Sequence, residues 1–378
     1  MPSFDIVIIG TGPAGAMAAY EASAANLSVA IFEKETLPRY KTCGGGLVYR
    51  GRNLLPFDVS QVAEKEFSEI EVHFENSDRC FTASRNAPVI TMVMRDKFDA
   101  LITEKAVEKG AKLIQKCVLE HIGMGSKLEL KTTTGLVESD YLIVADGAFS
   151  PTARMAGWKE SRQLIPALEY EVEVDTGTFE KLSQTVRFDV DTVPYGYAWC
   201  FPKRAHLSIG VACFRKSRIN LKDYYRYYLE KLGVRQIIKE EAHGFQIPIG
   251  ARKDGFAKNR VFLAGDAAGF ADPLTAEGIS NALYSGQLAA KCIHKHFANP
   301  SAAVEAYQTT LKNNLLRELK TSGLLSRTFY GQPHVRKMLI NKYGQKGCEY
   351  LTDIFMGNKT FPHEIGHWLR ERLLPFPL

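Results

Sequence analysis

The chain has no uninterrupted apolar run near the roughly 20 residues that a bilayer-spanning helix needs, so a membrane span is not expected. Its start, Met1-Pro-Ser-Phe-Asp-Ile, has no basic stretch ahead of an apolar one. A secretory signal is therefore not expected, and a cytosolic location is. The seven cysteines (43, 80, 117, 200, 213, 292, 348) form no C-x-x-C pair and are odd in number, a pattern of free thiols in a reducing compartment. The sequons at Asn26 and Asn358 then carry no consequence. No long Lys/Arg run stands behind the net charge of +6, which argues against a nucleic-acid partner and leaves room for mild attraction to anionic lipid. There is also no internal repeat, no low-complexity tract and no second nucleotide-binding fingerprint.

What is present starts in the first forty residues. The apolar run Phe4-Asp-Ile-Val-Ile-Ile9 enters Gly10-Thr-Gly12-Pro-Ala-Gly15 and then the alanine-rich Ala16 to Ala25, which makes one strand, one glycine turn and one helix start. Gly10 permits the tight turn, Gly12 lets backbone approach a pyrophosphate, and Gly15 allows helix to pack on strand. The free N–H groups of that helix start suit phosphate. A second apolar strand, Leu27 to Phe32, ends in Glu33, eighteen residues after Gly15. A carboxylate there can accept both hydroxyls of an adenosine ribose. A lone glycine triplet is no more than a tight turn; strand, helix and acid together define a dinucleotide site, without deciding between NAD and FAD.

With 378 residues, 45% hydrophobic and 24% charged, the chain suits a globular protein of two or three domains. After Glu33 comes Leu37-Pro-Arg-Tyr-Lys-Thr-Cys43-Gly-Gly-Gly46, whose three glycines imply backbone passing close to something. Residues 68–75 and 89–94 alternate as strands, and Arg95-Asp-Lys-Phe-Asp99 opens a helix to about Gly110. Further strands end in Tyr141-Leu-Ile-Val-Ala-Asp146-Gly147. Strands rich in Tyr, Val and Phe fill 168–213, including Tyr197-Ala-Trp199-Cys-Phe201-Pro202, and predict an antiparallel layer closed by a helix over 221–231. Arg260-Val-Phe-Leu-Ala-Gly265-Asp266 returns to the style of the first strand, with a long helix from about Glu277. The expected organisation is a discontinuous cofactor domain (1–65, 95–165, 250–300), an inserted antiparallel substrate domain (66–94, 166–249) and a helical region over 301–378.

Two further motifs favour FAD, because a buried flavin must be held at its ribityl chain and ring as well as at its phosphates. They are Ala145-Asp146-Gly147-Ala-Phe-Ser150-Pro-Thr-Ala-Arg154 and Leu263-Ala-Gly265-Asp266-Ala-Ala-Gly269 running to Glu277-Gly278-Ile279. Here the sequence resembles the glutathione-reductase-type FAD enzymes of the hydroxylase superfamily, an α/β class with a Rossmann-like domain. That resemblance implies that Asp266 binds ribityl hydroxyls and that the helix start at Gly278 and Ile279 lies along the pyrimidine edge, where its positive end would stabilise a reduced flavin. Pro38-Arg39-Tyr-Lys41-Thr-Cys43-Gly44-Gly45-Gly46, the Arg95-to-Asp99 helix start, and the 197–202 run with Gly210 after a gap of seven residues narrow the likeness to the geranylgeranyl reductase family. This resemblance covers residues 1 to about 300. It implies reduction of isolated carbon–carbon double bonds in an isoprenoid chain, with hydride from flavin N5, and an aromatic tunnel of Tyr197, Trp199, Phe201, Pro202 and Gly210. One departure is Ala212, where the family has a second glycine.

The expected cofactor set is Gly10, Gly12, Pro13, Ala14, Gly15, Glu33, Lys34, Cys43, Gly44, Gly45, Arg95, Val118, Asp146, Gly147, Gly265, Asp266, Gly278 and Ile279, with non-covalent FAD and no metal. Hydride addition to an isolated alkene needs a proton at nearly the same time. Cys43 is the expected donor, with Lys41 and Tyr40 as rivals nearby. By residue pattern alone Cys43 also fits as a small residue filling the loop, Trp199 and Phe201 as ordinary core, and Arg95 as a helix cap. His363-Glu364-Ile-Gly-His367 satisfies the H-E-x-x-H zinc pattern, yet follows Pro362, contains Gly366 and has no further His, Asp or Cys after it, so a metalloprotease is not expected. The electron donor could be a nicotinamide or a small iron–sulfur protein. The Trp368-Leu-Arg-Glu-Arg-Leu-Leu-Pro-Phe run fits either docked core or peripheral membrane contact. Alternative activities are a flavin monooxygenase and a flavin electron-transfer protein.

Overall fold

The computed structural model describes residues 1–75, 79–215 and 219–361. Five strands, Val261–Leu263, Gly135–Val144, Ser3–Ile9, Val29–Glu33 and Lys112–Gln115, lie in that order and all parallel. Ile6, Val7, Ile8, Ile31 and Ile143 are fully buried, as strands covered on both faces must be. Ala257–Lys258 closes one edge, and the hairpin Leu119–Met124 with Leu128–Thr132 extends the long strand at Gly135–Val144. Helix Pro13–Ala24, with proline at its first turn, packs between helices Ile279–Lys295 and Arg95–Glu108. The fold is α/β, with a Rossmann-like sheet.

A second sheet runs Ile237–Pro248, Leu164–Val174, Leu207–Cys213, Gly196–Pro202, Val186–Val190, Glu69–Phe74, Arg79–Ser84. Its neighbours are antiparallel except at one junction, where Val186–Val190 pairs parallel with Glu69–Phe74. That corrects the purely antiparallel layer expected. The two strands are separated by much of the first sheet, so a long crossover joins them where a hairpin could not. Period-two alternation sorts the residues of Gly196–Pro202: Ala198 and Cys200 face helix Leu221–Leu232, while Tyr197 and Trp199 face the other way. That helix starts on an Asn220 side-chain cap and stops at Gly233 in the left-handed region.

A small third sheet, Gly46–Val48, Ile90–Val93 and Ala63–Phe67, bridges the two. All four residues of Ile90–Val93 are buried. The alternation read there is therefore absent, because this central strand is covered on both faces. Beyond residue 300 come helices Pro300–Asn313, Leu315–Gly331 and Pro333–Met356. The first is tied to the parallel sheet by Tyr307, whose hydroxyl donates to the Leu263 carbonyl at 2.7 Å. The last lays Cys348, Phe355 and Met356 into the core of the second sheet. Among the described residues no helix is long and apolar enough to cross a membrane. The H-E-x-x-H stretch with His363, Glu364 and His367, and the run from Trp368, lie outside the described residues.

Candidate active site

The three sheets meet around a cavity of about 930 Å³, near the upper end of the usual range for ligand sites. Its lining takes in Gly10, Gly12, Pro13 and Ala14 of the first turn, and Glu33, Lys34 and Val118 at one end. Cys43, Gly44, Gly45 and Arg95 lie along the middle, with Asp146, Gly147, Gly265, Asp266, Gly278 and Ile279 beyond them. Tyr197, Trp199 and Phe201 form its aromatic wall. Segments far apart in sequence thus converge on one space.

Three expected residues stand behind this lining. A Cβ on Gly15 would sit 2.0 Å from the Gly10 carbonyl oxygen, so this glycine serves the packing of helix on strand and does not face the cavity. Gly210 lies opposite Trp199 on the neighbouring strand, and a Cβ there would sit 2.1 Å from the indole. It seats the tryptophan and does not touch the space beyond it. Pro202, buried at the strand's end opposite Leu207, is also outside the lining.

At its end of the cavity Glu33 is buried and accepts from the Thr11 amide at 3.1 Å and the Glu35 amide at 3.0 Å, with Arg39 at 3.4 Å. Burial alone would raise its pKa; hydrogen bonds from Thr11 and the Arg39 charge outweigh that and hold the carboxyl below its ordinary range. Arg39 also reaches the buried Asp99 at 3.2 Å. Asp99 in turn grips Arg95 through two bonds, 2.8 and 2.9 Å. Asp146 accepts from the Ser150 hydroxyl at 2.5 Å and the Thr152 amide at 3.0 Å, so it shapes the turn into helix Pro151–Met155.

The cysteine loop is clamped by one residue of the second sheet and by one that follows its strand Gly196–Pro202. The buried Glu169 accepts the Cys43 amide at 2.7 Å and the Ser208 hydroxyl at 2.8 Å. Lys203, also fully buried, donates to the Gly44 carbonyl at 2.5 Å and the Val93 carbonyl at 3.1 Å. Burial and the neighbouring Glu171 push the Glu169 carboxyl up to about 7. Burial pulls the Lys203 ammonium down, against the raising effect of Glu171 and Glu169. Neither residue carried a sequence signal, because each acts on loop backbone more than a hundred positions away (126 and 159).

Around the Cys43 thiol stand the Gly45 amide, which donates to Sγ at 3.4 Å, and the Arg95 guanidinium. Burial would lower the Arg95 pKa, but the Asp99 carboxylate and the Cys43 sulfur outweigh it and keep the group charged. Tyr40 stacks on His243 at 4.0 Å, and burial together with Glu169 and Glu171 raises its pKa, which makes it a weak acid. Lys41 sits 3.3 Å over the Phe245 ring, its pKa lowered by burial to about 8.

Two cavity-facing groups lack hydrogen-bond partners among the described residues. The buried Trp199 Nε1 has no acceptor, and the Asp266 carboxylate accepts no side-chain or amide hydrogen bond. An open phosphate turn at Gly12, where nothing lies within 4 Å of a Cβ position, completes a donor and acceptor set that fits FAD.

This fold and site define an FAD-dependent oxidoreductase of the glutathione-reductase type. The Thi4 family model matches residues 2–150. An uncharacterized protein of Methanosarcina barkeri is 31% identical over 93% of this chain and 90% of its own length. A digeranylgeranylglycerophospholipid reductase of Methanosphaerula palustris is 30% identical over 80% of each chain. A solved geranylgeranyl bacteriochlorophyll reductase-like protein from Thermoplasma acidophilum superposes with a TM-score of 0.79 at 22% identity, covering 99% of this chain and 98% of its own, and shows the shared fold. The chain belongs to the geranylgeranyl reductase family of FAD-dependent oxidoreductases.

Proposed function

We propose that this enzyme saturates carbon–carbon double bonds in the isoprenoid chain of a lipid, with Cys43 as the proton donor. The observation that carries this reading is the convergence of the Cys43 loop, the Tyr197–Trp199–Phe201 wall and the dinucleotide turn on one cavity. FAD, when bound in this cavity and reduced, would be the source of the hydride for one alkene carbon. The other carbon needs a proton from the opposite side, since an isolated alkene cannot hold the resulting negative charge. The Cys43 thiol can deliver it; the thiolate left behind meets the Gly45 N–H and the Arg95 guanidinium, both already in place. The aromatic wall presents an apolar surface that suits a prenyl chain and excludes water. Lys41 remains a rival acid near pH 8, although its ammonium is held over the Phe245 face.

The test is anaerobic turnover of the FAD-loaded protein on a geranylgeranyl lipid in D₂O. Deuterium at both carbons of each saturated bond is the expected product, because the N5 hydrogen of a reduced flavin and the thiol hydrogen both exchange with solvent. Recovery of an oxygenated product, formed only in air, would replace this reading with a monooxygenase.

A further inference from the structure

A Cys43 thiol that gives its proton to an alkene is left as a thiolate, and the enzyme is ready for the next double bond only when that sulfur regains a proton. The aromatic wall that keeps water from the alkene keeps it from the thiolate too. A route through side chains lies on the cavity side of strand Leu164–Val174. Glu169 and Glu171 are two positions apart on that strand and share one face, opposite to Tyr170 and Val172, which pack toward helix Leu221–Leu232.

Glu169 stands at the inner end, lining the cavity at 1% exposure. Its Oε2 accepts the Cys43 N–H at 2.7 Å and its Oε1 accepts the Ser208 hydroxyl at 2.8 Å. Ser208 lies directly opposite Glu171 in the ladder to the next strand. Glu171 meets His206 Nε2 at 2.9 Å, and exposure rises outward, to 11% at the Glu171 side chain and 21% at His206. A hydroxyl can accept one proton while donating another, so Ser208 can join the two carboxyls. Lys203 and Tyr40 also face Glu169, and His243 stands opposite it on strand Ile237–Pro248, its ring stacked on Tyr40. A carboxylate that only clamped the loop would gain nothing from a second one beside it, since like charges oppose each other's ionisation. Two acids that share a proton do gain from that placement.

We infer that Glu169 is the proton reservoir that recharges Cys43, refilled from solvent by way of His206, Glu171 and the Ser208 hydroxyl. The Oε2–H bond of Glu169 breaks as an S–H bond forms on Cys43. Oε1 takes a proton from Ser208, Ser208 takes one from Glu171, and His206 passes one from solvent to Glu171. No electrons change hands. The inference rests on the reading of Cys43 given above.

The experiment uses the full-length, FAD-loaded protein, reduced by dithionite without oxygen and mixed with a geranylgeranyl lipid. Parent, Glu169→Gln and Glu171→Gln are compared, with Glu241→Gln on the exposed edge strand as a control. Glutamine at 169 still accepts from the Cys43 N–H and the Ser208 hydroxyl, so it keeps the clamp and loses only the proton. Both relay variants should keep FAD and reoxidise it at the parent rate in the first turnover, then fall behind by roughly tenfold or more in the steady state with excess dithionite. The control should match the parent throughout. The parent's steady-state rate should decline as pH rises through about 7, where Glu169 loses its proton, and that decline should be missing in Glu169→Gln. Without lipid, the infrared difference spectrum across the same pH range should show a protonated carboxyl in the parent that Glu169→Gln lacks.

A first turnover in Glu169→Gln slowed as much as its steady state would mean lost loop position alone, and parent rates in both would mean no role; either overturns the proposal. So does an unchanged Glu171→Gln, a slowed control or a missing carboxyl band. Cys43→Ala separates this from the reading beneath it. Parent-rate turnover there overturns that reading and the relay with it, whereas a slow Cys43→Ala beside a Glu169→Gln with no fast first turnover overturns the relay alone.

Discussion

Cys43 stands beside a fixed cation and a backbone N–H, in a loop held by two buried ionisable side chains, one on the second sheet and one that follows its strand Gly196–Pro202. Cys43→Ala should keep FAD and lower turnover on an isoprenoid by about two to four orders of magnitude, the usual size of a general-acid contribution. Cys43→Ser should fall between, and parent-level turnover in the alanine variant would leave the thiol as loop packing. Lys203→Met tests the clamp. It leaves the Gly44 and Val93 carbonyls without their donor, at a cost of about 1–3 kcal/mol for each buried group left unpaired, and should lower both Tm and turnover. Glu169 adds a pH signature. Its carboxyl titrates at about 7 in the fold against an ordinary 4.5, so between these values the folded state holds the extra proton. The parent therefore loses stability from this group as pH rises from about 4.5 to about 7. Glu169→Gln should become more stable relative to the parent across that window; a constant difference in Tm over the range would contradict the assignment.

At the scale of elements, the first strand, its glycine turn and the acid at the end of the second strand were readable because every cue is local. A run of β-branched residues, a turn that needs glycine and a spaced carboxylate need no knowledge of the rest of the chain. The Tyr197-to-Phe201 face was readable by alternation for the same reason. The parallel junction between Val186–Val190 and Glu69–Phe74 was not, since it joins segments brought together only by the finished first sheet. Gly210 shows a subtler limit. Its position in the motif was evident, but its service to Trp199 from behind appears only in the strand register. Gly210→Val should push the indole toward the cavity and cost about 1–3 kcal/mol from overpacking, read as a lower Tm, with isoprenoid turnover reduced and FAD content kept. At the other end of the cavity, Glu33→Arg would set a cation against Arg39. FAD affinity should fall by about 1–3 kcal/mol, measured by flavin fluorescence on dilution.

For the whole molecule, the parallel sheet and the mainly antiparallel second sheet share one cavity, with part of its lining supplied from beyond residue 300. Phe355 reaches that cavity from helix Pro333–Met356, so the C-terminal region, which no motif explained, contributes directly to its shape. In the proposed reaction, electrons stored on bound FAD would leave to an isoprenoid double bond, not to oxygen or to a protein acceptor. The most direct measurement is a single-turnover absorbance trace, with the FAD-loaded protein bleached by reduction under strict exclusion of oxygen and then mixed with a geranylgeranyl lipid. The oxidised flavin spectrum should return on mixing, one flavin per double bond saturated, and far more slowly in Cys43→Ala. A flavin that stays bleached with the lipid and recovers only when air is admitted would contradict it.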